Sequence, residues 1–118
     1  MQATLAAGGS TGGPLVAQEI MVIDDDPGIR EVLGIFLKKF GYQPLVFDSA
    51  ISALECLARR RPSLILLDLV MEPMNGIQFL EELGKRFSRG ERIPVLILSA
   101  YGLPEEDRNR FRDWIAGV

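Results

Sequence analysis

Two four-residue runs, Leu64–Leu67 ("LILL") and Val95–Leu98 ("VLIL"), are apolar at every position. A strand with one wet face alternates apolar and polar residues. A run without alternation belongs in a sheet covered on both faces, which in practice means a parallel sheet with helices above and below. The rest of the chain agrees. "EIMVI" and "QPLVFD" are further short strands, and the Pro44 of the second, which cannot donate to a ladder, places it at a sheet edge. Four segments of helical period separate or follow the strands: "PGIREVLGIFLKKFG", "SAISALECLARRR", "NGIQFLEELGKRF" and "PEEDRNRFRDWIAG". Strand–helix alternation of this kind implies a doubly wound α/β domain.

Local signals bound the helices. Asp26 is an N-cap followed by Pro27 at the first turn, and Gly41 is a natural stop. Ile29, Leu33, Phe36, Leu37 and Phe40 recur at helical spacing in the first helix. In the second helix Ser49 is the cap and Ala50, Ala53, Leu54 and Leu57 the buried face. Arg59 to Arg61 stand at its negative end, where cations are favoured. Pro104 sits near the start of the fourth helix, in which Phe111 and Trp114 are expected to pack. Residues 1–17 are small, Gly-rich and uncharged, which reads as a flexible tail. Residues 18–118 read as one domain, the size expected from 118 residues.

Composition excludes several functions. A net charge of −3 does not suit a general nucleic-acid binder. With no histidine and one cysteine, Cys56, the chain holds neither a structural zinc site nor a Cys–His pair. A lone cysteine makes no internal disulfide, and with neither a secretory signal nor an apolar run of membrane length a cytoplasmic location is expected.

The polar residues at the strand ends carry the chemistry. In such sheets ligands bind beyond the carboxyl ends of the strands, at the point where strand order reverses. The first strand ends in Asp24, Asp25 and Asp26, the third in Asp68 and the fourth in Ser99. If the first and third strands are neighbours, three carboxylates converge, and each disfavours ionisation of the others. A hard cation such as Mg²⁺, which prefers oxygen ligands, resolves the conflict. An ionised aspartate beside it is a nucleophile able to form an aspartyl-phosphate, and a serine hydroxyl can hydrogen-bond a phosphoryl oxygen.

These motifs resemble the response-regulator receiver domains of two-component signalling, of the chemotaxis-regulator type. "VIDDDPGIR" resembles the family's acidic motif, with Asp24 and Asp25 as the metal pair. "LILLDLVMEPMNG" resembles the phosphorylation strand and loop, with Asp68 as phosphoacceptor and the backbone carbonyl of Val70 as a metal ligand. "VLILSA" resembles the fourth strand, with Ser99 as its hydroxyl residue. The resemblance spans residues 19–118. It implies a flavodoxin-like sheet of order 2-1-3-4(-5), bound Mg²⁺, and phosphate received from a sensor histidine kinase or phosphotransfer protein. It also implies an output domain or downstream partner, with neither membrane nor specific nucleic-acid contact by this domain and no enzyme activity beyond its own phosphorylation and dephosphorylation.

Two features depart from the family pattern. The proline after the acceptor loop is shifted by one, in Met71-Glu72-Pro73. The chain also stops at Val118, before the family's fifth strand, its lysine–proline pair and its fifth helix, and Lys38, Lys39 and Lys85 lie in other elements. The alternative is therefore a truncated receiver that binds proteins without phosphotransfer. A metal-dependent phosphohydrolase is disfavoured, because Val70 stands where such enzymes carry a second aspartate. Without the fifth strand, Val95–Leu98 is expected to be a bare apolar edge open to self-association.

Overall fold

The computed structural model describes residues 18–98, 103–112 and 114–117. The chain alternates β1 (Glu19–Ile23), α1 (Pro27–Lys39), β2 (Gln43–Phe47), α2 (Ala50–Leu57), β3 (Leu64–Asp68), α3 (Gly76–Arg86), a 3₁₀ turn (Arg89–Glu91), β4 (Val95–Leu98), α4 (Glu105–Arg110) and β5 (Ile115–Gly117). All neighbouring strands are parallel, in the order β2-β1-β3-β4-β5. The core four-strand order, 2-1-3-4, is the flavodoxin-like one, and Pro44 does lie in the edge strand.

The helices begin and end where the side chains allow. Asp26 accepts from the N–H of Gly28 at 2.8 Å and of Ile29 at 3.4 Å, so one acid of the triplet caps α1. The helix stops at Gly41, whose φ of +89° is the left-handed conformation that glycine adopts without a Cβ clash. Ser49 caps α2 through the N–H of Ser52. Asn75 and Gln78 form a reciprocal capping box at the start of α3.

The sheet has unequal faces. On one, α2, α3 and the segment around Phe111 and Trp114 pack against Met21, Ile23, Ile65, Leu67, Val95 and Ile97. Ala50, Ala53, Leu54 and Leu57 are buried there as expected, together with Cys56. On the other face the small cluster Ile20, Val22 and Leu66 is covered by Leu37, with Leu33, Leu96 and Leu98 only partly buried against it.

Of the residues at helical spacing in α1, Leu37 is buried and Leu33 partly so, whereas Ile29, Phe36 and Phe40 are exposed. Helical spacing identifies an apolar face, but what lies against it decides burial. One expectation is corrected, at the end of the chain. The fourth helix stops at Arg110, not at Gly117, because Phe111 and Trp114 turn into the core, 6% and 5% exposed. The Trp114 N–H donates to the Phe111 carbonyl at 2.9 Å. That turn lays Ile115–Gly117 beside β4, where the Val95 N–H donates to the Trp114 carbonyl at 2.8 Å. Val95–Leu98 is thus not a fully bare edge. The neighbour is a three-residue strand with an irregular register, not the family's fifth strand with its lysine and proline, and no lysine follows Lys85 in the sequence.

Candidate functional site

The register of β1 and β3 builds the site. Ile23 lies opposite Leu67, so the next residue of each strand, Asp24 and Asp68, emerges side by side at the carboxyl end of the sheet. Asp25 follows in the turn before the cap of α1. One carboxylate oxygen from each of Asp24, Asp25 and Asp68 lies within 4.8 Å of the others. Asp24 is buried, Asp68 half-buried and Asp25 exposed, so the cluster opens outward through Asp25.

Backbone groups hold these carboxylates in place. Asp24 Oδ1 accepts the Asp26 N–H at 2.9 Å, and Asp68 Oδ1 accepts the Val70 N–H at 3.1 Å. Burial, the largest influence, pushes the Asp24 carboxyl above its ordinary range. The Asp26 N–H opposes it, Asp25 and Asp26 push the same way, and Arg30 pulls back. Burial likewise pushes Asp68 up, opposed by the Val70 and Leu69 N–H groups and reinforced by the charges of Asp24 and Asp25. Two neighbouring carboxyls thus both resist ionisation in the bare protein. An oxygen-lined, anionic cluster of this kind fits a hard divalent cation, which would relieve burial and repulsion together.

The loop after β3 folds back over its own strand. The Gly76 N–H donates to the Leu69 carbonyl at 3.0 Å. A Cβ at position 76 would lie 2.7 Å from both the Asp68 carbonyl oxygen and Leu69 Cα, closer than real contacts allow. The glycine therefore sets how near α3 begins to the acceptor strand. Val70 projects from this loop and is 72% exposed.

The structure brings together Asp24, Asp25 and Asp68 of the residues singled out in the sequence. Ser99 lies outside the described residues. Reasoning missed Arg30, whose Nη1 donates to the Asp24 carbonyl at 2.9 Å and ties the first turns of α1 to the end of β1. Its position one turn past the Asp26 cap was the available signal. The three lysines sit far from the acids in chain terms: Lys38 and Lys39 end α1, and Lys85, in the last turn of α3, pairs with Glu82 at 3.4 Å.

A doubly wound parallel sheet with an aspartate cluster at its carboxyl mouth defines a receiver-type α/β domain. Comparison with known proteins specifies the family. The model described as a response regulator receiver domain matches residues 20–113. The chain belongs to the response-regulator receiver family of two-component systems. It is 41% identical over 95 residues to the phosphate regulon transcriptional regulatory protein PhoB of Escherichia coli, covering 80% of this chain and 41% of that protein. It thus spans less than half the length of that relative. It is 34% identical over 88 residues to the sporulation initiation phosphotransferase F of Bacillus subtilis, covering 75% of this chain and 68% of the relative. Among solved structures, the N-terminal domain of a response regulator receiver protein from Methanoculleus marisnigri matches with a TM-score of 0.75 and 38% identity, covering 84% of this chain and 80% of that one. Phosphorylation and Mg²⁺ are typical of this family of signalling domains. No helix among the described residues is long and apolar enough to cross a membrane.

Proposed function

We propose that this chain is a phosphoacceptor module: Asp68 takes a phosphoryl group from a histidine kinase or phosphotransfer protein while Asp24, Asp25, Asp68 and the Val70 carbonyl hold one Mg²⁺ ion. The observation that carries this reading is the convergence of three carboxylate oxygens within 4.8 Å at the mouth of the sheet. A carboxylate oxygen of Asp68 forms a bond to phosphorus as the donor's P–N bond breaks, and the electron pair of that bond leaves with the imidazole. Bound Mg²⁺ supplies positive charge against the transferring phosphoryl oxygens. The Val70 N–H on Asp68 Oδ1 orients the carboxylate, leaving its other oxygen to attack. Arg30 keeps the end of β1, and with it Asp24, in register with Asp68. Ser99 is proposed to donate a hydrogen bond to the phosphoryl group. Residues 18–118 are the domain that does this, residues 1–17 a tail outside it, and the setting is cytoplasmic.

The experiment is intact-mass analysis after treatment with a small phosphodonor and Mg²⁺. One phosphoryl group is expected per chain, lost in Asp68→Asn. Labelling undiminished by that substitution would sink the assignment. In parallel, Asp25→Ala is expected to weaken Mg²⁺ binding more than Asp24→Ala, read by NMR shifts. Equal binding by Asp25→Ala and the parent refutes the metal assignment.

A second reading has its own support. Receiver chemistry places a lysine against the phosphoryl oxygens, and the described lysines end α1 and α3 instead. On this reading the domain docks to partners without phosphotransfer. It predicts Mg²⁺ binding with no stoichiometric label on Asp68, an outcome the same mass measurement distinguishes.

A further inference from the structure

We propose that the cavity between the ends of α2 and α3 binds a diphosphate group, the chemistry shared by free pyrophosphate and a nucleoside diphosphate. The cavity has a volume of about 350 Å³ and is lined by Arg59, Arg61 and Arg86 together with Leu54, Leu57 and Phe87. Pockets for small ligands start near about 300 Å³, so the space suits a compact one. All of its walls lie within residues 54–87, on the sheet face that carries α2 and α3. It sits at the amino ends of the strands, a position marked by the ion pair of Arg60 with Glu19, the first residue of β1. The aspartate cluster is at the opposite end of the sheet, so this site is separate from the one that Asp68 belongs to.

Charge says what the cavity takes. Three guanidinium groups line it and, among the described residues, no carboxylate does. Arg59 is exposed and has no ion-pair partner among the described residues. Arg61 is held in place: it donates to the Glu91 carbonyl and its guanidinium carbon stands 4.5 Å from the centroid of the Phe87 ring. The Glu91 carboxylate is turned instead to the N–H and hydroxyl of Ser88, at 2.9 and 3.0 Å. Arg86 shares the one carboxylate of Glu82 with Lys85, each at 3.4 Å. A cation at the end of a helix is favourable by itself, which accounts for arginines here but not for their convergence from two helices on one cavity. Guanidinium forks match the oxygens of carboxylate and phosphate. A diphosphate presents two adjacent, multiply charged phosphoryl groups, acceptors for both helices at once, whereas a single phosphate presents one. A nucleic-acid strand fits less well, because it needs free aromatic faces for its bases, and the aromatic ring that lines this cavity, Phe87, is covered by Arg61.

Calorimetric titration of the full chain tests this, in chelator and at about 0.15 M salt, where exposed charges are screened beyond about 8 Å. Pyrophosphate is expected to saturate at one per chain and to bind at least tenfold more tightly than orthophosphate. Adenosine diphosphate binding equally well would show that the diphosphate group alone is read. If pyrophosphate binds and adenosine diphosphate does not, the free anion is the ligand. Arg59→Ala should weaken binding several-fold with an unchanged thermal melt, because that side chain is exposed and unpaired among the described residues. Arg59→Lys, which keeps the charge and loses the fork, should recover only part of the loss. Arg86→Ala should weaken binding by a similar factor, and Asp68→Asn should bind as the parent does. Pyrophosphate that binds no better than orthophosphate overturns the proposal. So does binding indifferent to both Arg59→Ala and Arg86→Ala, adenosine diphosphate binding without pyrophosphate binding, or a short single-stranded DNA that binds more tightly than either.

Discussion

The two faces of this sheet are made of the same strands and have different fates. On one face, eighteen buried residues from α2, α3, the strands and the segment around Phe111 and Trp114 form a single cluster. On the other, four buried residues do the same job beneath α1. The strands contribute alternately to both, Met21 and Ile23 to the first, Ile20 and Val22 to the second. The inequality therefore arises from the helices and not from the sheet. A strand residue is buried by whatever crosses above it, and on the α1 side a single described helix does so. Among the described residues the thick face holds most of the buried core.

The comparison can be broken most decisively in the core. Phe79 is fully buried on the thick face, and Phe79→Ala should cost about 3–5 kcal/mol. Leu37→Ala, 7% exposed on the thin face, should cost near the lower end of the range for such changes, about 2 kcal/mol. Urea unfolding measures both. Equal losses would mean that the faces support the fold equally and that the distinction is wrong.

Next in size comes the junction of the thick face with the acidic mouth. Gly76→Ala forces a Cβ against the backbone of Asp68 and Leu69, and backbone cannot yield as a flexible side chain can. A loss of about 1–3 kcal/mol is expected, together with weaker Mg²⁺ binding, because α3 can retreat only by moving the acceptor loop. Destabilisation with unaltered metal affinity would show that the two are uncoupled. A smaller loss, about 1 kcal/mol, is expected for Asp26→Ala, which removes the cap of α1. If that variant instead destroyed the metal site, the division of labour within the acidic triplet would be wrong.

The smallest effect is a pH dependence confined to the mouth. Burial raises the Asp24 and Asp68 carboxyls above their unfolded values, so the folded chain holds these protons more tightly than the unfolded one. In chelator, the resulting destabilisation is full above the raised values and vanishes as the pH falls below the unfolded value of about 3.9. Asp68→Asn should therefore be more stable than the parent at neutral pH without divalent ions, with the gap closing on acidification. Mg²⁺ should stabilise the parent and not the variant, which reverses the order. A gap that is independent of pH would show that Asp68 is not strained by its surroundings.

Much of this was legible along the chain because it depends on neighbours in sequence. Strand identity followed from unbroken apolar runs, the starts of α1 and α2 from Asp26 and Ser49, and the stop of α1 from Gly41. Asp68 could be singled out because a carboxylate ending an apolar run is unfavourable without a partner. The triplet Asp24 to Asp26 offered two residues more than a cap requires. These are local preferences, set by backbone sterics and by hydrogen bonds a few residues long.

What required the tertiary structure is burial and register. Periodicity correctly found an apolar stripe on α1, yet Ile29, Phe36 and Phe40 are exposed, because nothing described packs over them. The segment after Arg110 has a helical pattern in isolation, but the core accepts Phe111 and Trp114 only if the chain turns, and β5 results. The 4.8 Å convergence of Asp24, Asp25 and Asp68 depends on Ile23 lying opposite Leu67. A sequence specifies which residues prefer which local form. Which surfaces meet, and which stay uncovered, is decided by contacts between residues far apart in the chain, because burial is a property of the pair and not of either partner.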